Sequence, residues 1–295
     1  MSKKYLIVGA TGYLGKQLVH AAKRAGHKVR ALARDASRLP AEVDEVVVAE
    51  ATNPDSLAGI CNGVDVVISA LGITRQRDGL TYNAVDYAAN RNILNEALKG
   101  KVERFGYVHV LNSDKLVHVP MVKAKVRFAE ELRLAPTAST IINPSGFYSD
   151  LGEVLRKAQS GRVYLFGNGN TRVSPISGHD MAEACISATD NQVASIDVGG
   201  PETLTFNQVA QLAFKALDKP EKITHLPLGL GKFTVRLAKL LGFAKTVGPF
   251  EFFVAASGMD MQAPNFGSQT LDDYFATELR TANRADNRNA LLASS

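Results

Sequence analysis

The 295 residues carry a formal net charge of +5, with 45% hydrophobic and 21% charged side chains, a balance that supports a substantial core in one large domain or a main domain with a smaller lobe. The cations are scattered, and without a concentrated basic stripe a nucleic-acid surface is excluded. No window reaches the ~20 uninterrupted apolar residues of a bilayer span, so no integral membrane segment is expected.

Along the chain, Ser2-Lys3-Lys4 lead straight into Tyr5-Leu6-Ile7-Val8, an apolar run that stops at Gly9 as a buried parallel strand does. From Gly12 the period turns helical, with Leu14, Leu18, Ala21, Ala22 and Ala25 on one face and Gly26 as its end. Strands follow at 29–33, 46–48 and 64–70, with a short helix through Leu57 to Cys61 before the last of them. A longer helix carries Tyr82, Val85, Ala89, Ile93, Leu94 and Ala97 as its apolar stripe. A strand at 105–110, a helix at 121–134 and a strand at 140–143 complete an alternation that predicts a parallel sheet covered on both faces.

Beyond Asp150 the rhythm changes. A strand at 163–166 precedes Gly167-Asn168-Gly169-Asn170, a turn tolerant of positive φ, and helices follow at 181–188 and 206–217. Gly199-Gly200-Pro201 and Lys219-Pro220 punctuate this half. The stretch 226–256 is very apolar, with Phe233, Phe243, Phe250, Phe252 and Phe253. It reads as the core of a small C-terminal lobe, with the wall of a hydrophobic pocket as the alternative. No amphipathic basic helix is read there, so contact with a membrane surface rests on Phe250, Phe252 and Phe253 alone. Arg280, Arg284 and Arg288, interleaved with Asn and Asp, read as a solvated or frayed tail over 281–295. Cys61 and Cys185 sit in apolar stretches and read as buried free thiols. With no secretory pattern at the start, the expected compartment is the cytoplasm.

Gly9-Ala10-Thr11-Gly12-Tyr13-Leu14-Gly15 follows the first strand and opens the first helix. Three glycines at this spacing, in a strand-to-helix turn, point to a dinucleotide. Gly9 permits the tight turn, Gly12 admits a pyrophosphate, Gly15 permits close packing on the sheet, and the helix end supplies positive potential. The fold expected is α/β, a Rossmann-type doubly wound parallel sheet with a smaller C-terminal α/β lobe. Residues 1–150 would form the NAD(P)-binding core, and 151–280 the remainder of the core and the lobe, with the chain crossing between them. At the end of the second strand, where NAD sites place a carboxylate and NADP sites an arginine, the sequence reads Ala33-Arg34-Asp35 with Arg38 following. NADP(H) is favoured over NAD(H), with Asp35 open to two roles, orienting Arg34 or reaching the ribose itself.

These segments resemble the atypical short-chain dehydrogenase/reductase family in its NmrA-like, NAD(P)-binding branch. The likeness extends through Ile68-Ser69-Ala70-Leu71-Gly72, Val85-Asp86-Tyr87 with Asn90, Asn143-Pro144-Ser145-Gly146-Phe147 and Gly199-Gly200-Pro201-Glu202. The resemblance implies that Ala70, Leu71 and Gly72 line the adenine and ribose side, that Glu50 stands near the adenine, and that Pro144 and Phe147 border the nicotinamide. Family reductases pair a Tyr with a Lys four residues on, the lysine lowering the phenol's pKa for proton relay. Here Lys125 is present but Met121 stands in the Tyr position, and a thioether donates no proton. Lys125 then remains as a ligand of the nicotinamide ribose, and Tyr148 and His109 are candidate substitute acids. No metal-ligand spacing is found.

Hydride transfer needs only cofactor placed against acceptor. The leading expectation is therefore an NADPH-dependent reductase of an apolar small molecule, a quinone or enone that takes its proton from water or through its own chemistry. The alternative is a non-catalytic NADP(H)-binding redox sensor or assembly factor acting on a protein partner.

Overall fold

A computed structural model describes residues 2–74, 76 and 79–293, of residues 283 and 285–293 the backbone only. The first half winds as β1 (Lys4–Val8), α1 (Tyr13–Arg24), β2 (Lys28–Ala33), β3 (Glu45–Val48) and β4 (Val66–Ser69). A π-helical turn, Asn83–Ala89, runs into α2 (Asn90–Lys99), followed by β5 (Arg104–Val108), α3 (Pro120–Leu134) and β6 (Ala138–Pro144). The second half comprises α4 (Tyr148–Gln159), β7 (Val163–Phe166), β8 (Arg172–Val173), α5 (Gly178–Asp190), β9 (Ser195–Val198) and β10 (Leu204–Thr205). It closes with α6 (Phe206–Ala216), β11 (Ile223–Leu226), α7 (Leu228–Leu240), α8 (Gly248–Ala256) and α9 (Leu271–Ala293).

Seven strands form one sheet in the order β3-β2-β1-β4-β5-β6-β9, every pair parallel. Side chains alternate across it as strand geometry requires. Leu6, Val8, Val67, Phe105 and Tyr107 pack under α2 and α3. Tyr5, Ile7, Val66, Ile68 and Ile142 pack under α1 and α5. Both faces are thus dry, which is why the strands read as continuous apolar runs.

From the second half, α5 packs on α1, and β9 adds to the sheet beside β6. Residue 150 is therefore not where the core ends. The lobe has its own core, in which Leu155, Leu165, Val209, Phe214, Leu271 and Phe275 are buried among α4, β7, α6 and α9.

Four expectations change. The short helix before Cys61 is a single 3-10 turn, Pro54–Leu57. Ala25, expected on the buried face of α1, is its exposed C-cap. The tail read over 281–295 as solvated or frayed is helical where described, α9 continuing as far as Ala293, with Arg280 and Arg284 exposed. The apolar stretch at 226–256 is not simply core, because on α7 only Gly231 and Val235 are buried.

Candidate functional site

The strand order reverses between β1 and β4, and successive chains depart to opposite faces there, leaving a crevice beyond the carboxyl ends of the strands. Several residues singled out in the sequence lie along that edge. Gly9 follows β1, Arg34 follows β2, Ala70 follows β4, His109 follows β5, and Pro144 ends β6.

The glycine loop is tight for steric reasons. Gly9 has φ +82°, and a Cβ there would also come within 3.2 Å of the Ala70 carbonyl. A Cβ on Gly15 would overlap the Gly9 carbonyl, so this glycine serves the packing of α1 against the end of β1. Gly12 differs: a Cβ would meet only the Gly9 carbonyl oxygen, at 3.2 Å, with open space otherwise. Gly12 is also the N-cap of α1, whose first turn has no acidic residue and no side-chain cap. The backbone N–H groups of Tyr13, Leu14 and Gly15 therefore present an uncompensated positive helix end, which suits a pyrophosphate. The Leu14 side chain is buried in the core, leaving its backbone for the site. Thr11 is half-buried in the loop. The Tyr13 hydroxyl accepts from the N–H of Gly178 at 2.9 Å, and its ring meets Phe147 edge-on at 6.3 Å, tying the loop to α5 and to the end of β6.

At the neighbouring strand end the Arg34 guanidinium lies 3.6 Å from Glu50 and is 65% exposed. Glu50 also accepts from the Thr52 hydroxyl at 3.0 Å. Asp35 accepts from the backbone N–H (3.0 Å) and hydroxyl (2.7 Å) of Ser37, which hold its carboxyl below the usual range. Arg38 ends that turn, exposed.

The loop 70–72 is clamped from below. The Ser69 hydroxyl donates to Asn90 Oδ1 at 2.5 Å, and Asn90 Nδ2 donates to the carbonyls of Asp86 (3.0 Å) and Leu71 (3.3 Å). Asp86 accepts from the N–H of Ile73 at 3.3 Å. Neither Asp86 nor Asn90 had been given a role from the sequence. A signal was available, since both are polar and four apart on a helix whose stripe, Val85, Ala89 and Ile93, is otherwise apolar.

Lys125 reaches the same point from α3. Its Nζ lies 3.5 Å from Asp86 Oδ1, donates to the Val108 carbonyl at 3.3 Å, and stands 5.4 Å from the centre of the Tyr107 ring. A Cβ on Gly72 would come within 2.6 Å of Asp86 Oδ1 and 3.2 Å of Lys125 Nζ, so the pair sits directly against that glycine. Buried at this point, Asp86 Oδ1, Tyr107 Oη and His109 Nδ1 have no hydrogen-bond partner among the described residues. Burial pushes the Asp86 carboxyl up, and the Lys125 charge opposes that only in part. Burial, with the Lys125 and Arg133 charges acting the same way, pushes the His109 imidazole down to about 3.

Both candidate acids are buried. His109 is neutral at ordinary pH and has no imidazolium proton to give. Tyr148 is wholly buried in the lobe core, and its hydroxyl donates to the Gln269 carbonyl at 2.8 Å, so it is a packed aromatic whose polar end is already satisfied. Met121 lies one helical turn before Lys125, half-buried against the core. Pro144 is buried with its carbonyl accepting from Leu111, and Phe147 stays half-buried at the rim.

A family described as NAD(P)H-binding matches residues 9–192. The chain is 28% identical to the chloroplastic divinyl chlorophyllide a 8-vinyl-reductase of Arabidopsis thaliana, over 93% of this chain and 76% of that protein. It is 24% identical to photosystem II assembly factor Ycf39 of Trieres chinensis, over 81% of this chain and 76% of that one. In fold it is similar to NADPH-dependent quinone oxidoreductase QOR2 of Escherichia coli, solved with NADPH, at a TM-score of 0.74 and 15% identity over 93% of this chain and 99% of that one. The matched span runs from the glycine loop through the Asp86–Asn90 clamp and Lys125 to α5, and the chain belongs to the NAD(P)H-binding family, as an atypical short-chain dehydrogenase/reductase of the NmrA-like kind.

Proposed function

We propose that this protein is an NADPH-dependent reductase of an apolar small molecule, a quinone or an activated alkene, working without a phenolic acid. The observation that carries the reading is Lys125, held by buried Asp86 against Gly72, with Met121 one turn before it. The half of the family's pair that binds ribose is kept, and the half that gives a proton is absent. The open face of Gly12 and the uncapped end of α1 fit a pyrophosphate, and exposed Arg34 and Arg38 fit a 2′-phosphate better than a bare ribose. Pro144 and Phe147 border the nicotinamide in this reading, with Ala70, Leu71 and Gly72 along the adenosine side.

The cofactor, when bound, supplies a hydride. The chain's own residues orient and enclose: Lys125 holds the ribose hydroxyls, Asp86 holds Lys125, and the Asn90 clamp fixes the loop. Without a phenol, a simple aldehyde has no acid for its developing alkoxide, whereas a quinone or enone yields an anion delocalised enough to take its proton from water. Two relatives named for reducing a vinyl group and a quinone support that preference. The compartment we propose is a reducing one, the cytoplasm, on the strength of two buried free cysteines.

Following NADPH oxidation against a panel of quinones, enones and aldehydes tests this reading. Quinones or enones should be reduced and simple aldehydes refused, while Met121→Tyr should gain aldehyde reduction because it restores a phenol four residues before Lys125. One observation favours a second reading: near Lys125 the Tyr107 hydroxyl and the His109 imidazole are both buried. A protein that binds NADPH tightly and oxidises it with nothing in the panel would be a sensor or assembly factor, as the relative named for photosystem II assembly suggests.

A further inference from the structure

Helix α7 wears its apolar side outward. Gly231 and Val235 are buried, and the inner face is fixed because a Cβ on Gly231 would touch the Phe166 ring and Val254 at 3.0 Å. On the opposite face lie Leu230, Phe233, Leu237 and Leu240, at the three- and four-residue spacing of one helical stripe, continued by Leu241 and Phe243 just past the helix end. Their exposure runs from 42% at Leu237 to 83% at Leu240. Six of the twelve exposed large hydrophobic side chains among the described residues fall in these fourteen positions, which makes a patch rather than scatter.

Charge identifies what covers it. From Ile223 to Phe250 there is no carboxylate, and the cations are Lys232, Arg236, Lys239 and Lys245. Lys239 is engaged by Glu251 at 2.6 Å, whereas Lys232, Arg236 and Lys245 are exposed. Lys232 and Arg236 are four apart and run along one flank of the apolar stripe. Thr234, on the other flank, spends its hydroxyl on the Leu230 carbonyl at 2.9 Å. The stripe thus offers apolar area and positive charge with no acceptor to fix a register. Protein interfaces ordinarily carry a set of directional hydrogen bonds. A second copy laid on this face would set the same cationic flank against itself, with no acidic residue in the segment to answer it.

We propose that α7 and the turn after it dock on the surface of an anionic lipid bilayer, with Leu230, Phe233, Leu237, Leu240, Leu241 and Phe243 in the headgroup–acyl boundary and Lys232, Arg236 and Lys245 against lipid phosphates. The position suits the site. The Lys245 carbonyl accepts from Gln76, a Cβ on Gly248 would collide with Tyr82, and the Tyr82 hydroxyl donates to the Thr74 carbonyl, so the docked edge adjoins the loop that leaves Gly72. On the reductase reading, an apolar acceptor dissolved in the bilayer would meet the crevice from that side. The docking itself does not depend on turnover.

The test is co-sedimentation of the full chain with vesicles of phosphatidylcholine alone or with added phosphatidylglycerol, and NADPH titration confirms that each variant keeps its fold. The protein should sediment with the anionic vesicles, less so as salt is raised, and little with the neutral ones. Phe233→Glu/Leu240→Glu should abolish sedimentation, and Lys232→Ala/Arg236→Ala should weaken it roughly tenfold or more. Failure to sediment with anionic vesicles, or sedimentation of both variants equal to that of the parent protein, overturns the proposal. So does a self-associating species in solution that Phe233→Glu/Leu240→Glu disperses while vesicle binding is absent, since the occupant is then a second copy.

Discussion

Burial keeps the His109 imidazole neutral, and that leaves a mark on stability. In the unfolded chain a histidine titrates near ~6.5, whereas in the folded protein His109 is pushed down to about 3. Between those values the unfolded chain binds the extra proton. The stability is therefore fully present above the unfolded value and lost as pH falls toward the folded one, by at most about 1.4 kcal/mol per pH unit. Urea midpoints measured from neutral to acid pH should fall more steeply in the parent protein than in His109→Leu; equal slopes would show that the imidazole is not buried neutral. Arg34 makes a different prediction. Loss of a charge-assisted partner for the 2′-phosphate should weaken NADPH binding by ~1.5–3 kcal/mol in Arg34→Ala and NADH binding far less. Equal losses by calorimetry would remove the NADP assignment. At this scale the sequence was informative where position is local, as for Arg34 just past β2 and Met121 one turn before Lys125. It was not for Tyr148, because which way the first residue of α4 turns depends on the lobe core it meets, and a lone tyrosine carries no sign of that.

Among elements, the glycine loop separates two steric demands that spacing alone treats alike. Gly12 has φ −77°, which any residue adopts, and a Cβ there would meet only the Gly9 carbonyl oxygen, at 3.2 Å. On Gly15 a Cβ would overlap that carbonyl. Gly12→Val should keep its melting temperature within a few degrees and lose binding of either cofactor. Gly15→Val should melt roughly 5–10 °C lower, the cost of overpacking a site that cannot give way. Thermal melts paired with NADPH titration check both, and retained binding in Gly12→Val would mean that the loop is only a turn. The strands were legible because burial on both faces writes an uninterrupted apolar run. The π-helical turn at Asn83–Ala89 was not, since its apolar stripe reads like that of an α-helix. Nor was the outward face of α7: a period of 3.6 residues says that a helix has an apolar side, not which side the core takes.

Across the whole molecule, one sheet edge collects the helix end of α1, the cations after β2, the clamped loop after β4 and the lysine from α3. The alternation of strands and helices made the parallel sheet legible. The return of β9 to that sheet beyond residue 150 was signalled only by a change of rhythm, because a single short strand has too little pattern to announce its partner. Our account of the edge is a cofactor site that has kept its lysine and given up its acid, and Lys125→Ala tests it most directly. Cofactor affinity is read by titration, and the acceptor-saturated rate by NADPH oxidation across pH with the best quinone or enone. A clear rise in the NADPH dissociation constant is expected, with the saturated rate recovered at high NADPH and its pH profile unchanged. Unchanged affinity with a collapsed, pH-dependent rate would contradict it, placing Lys125 in a proton relay instead.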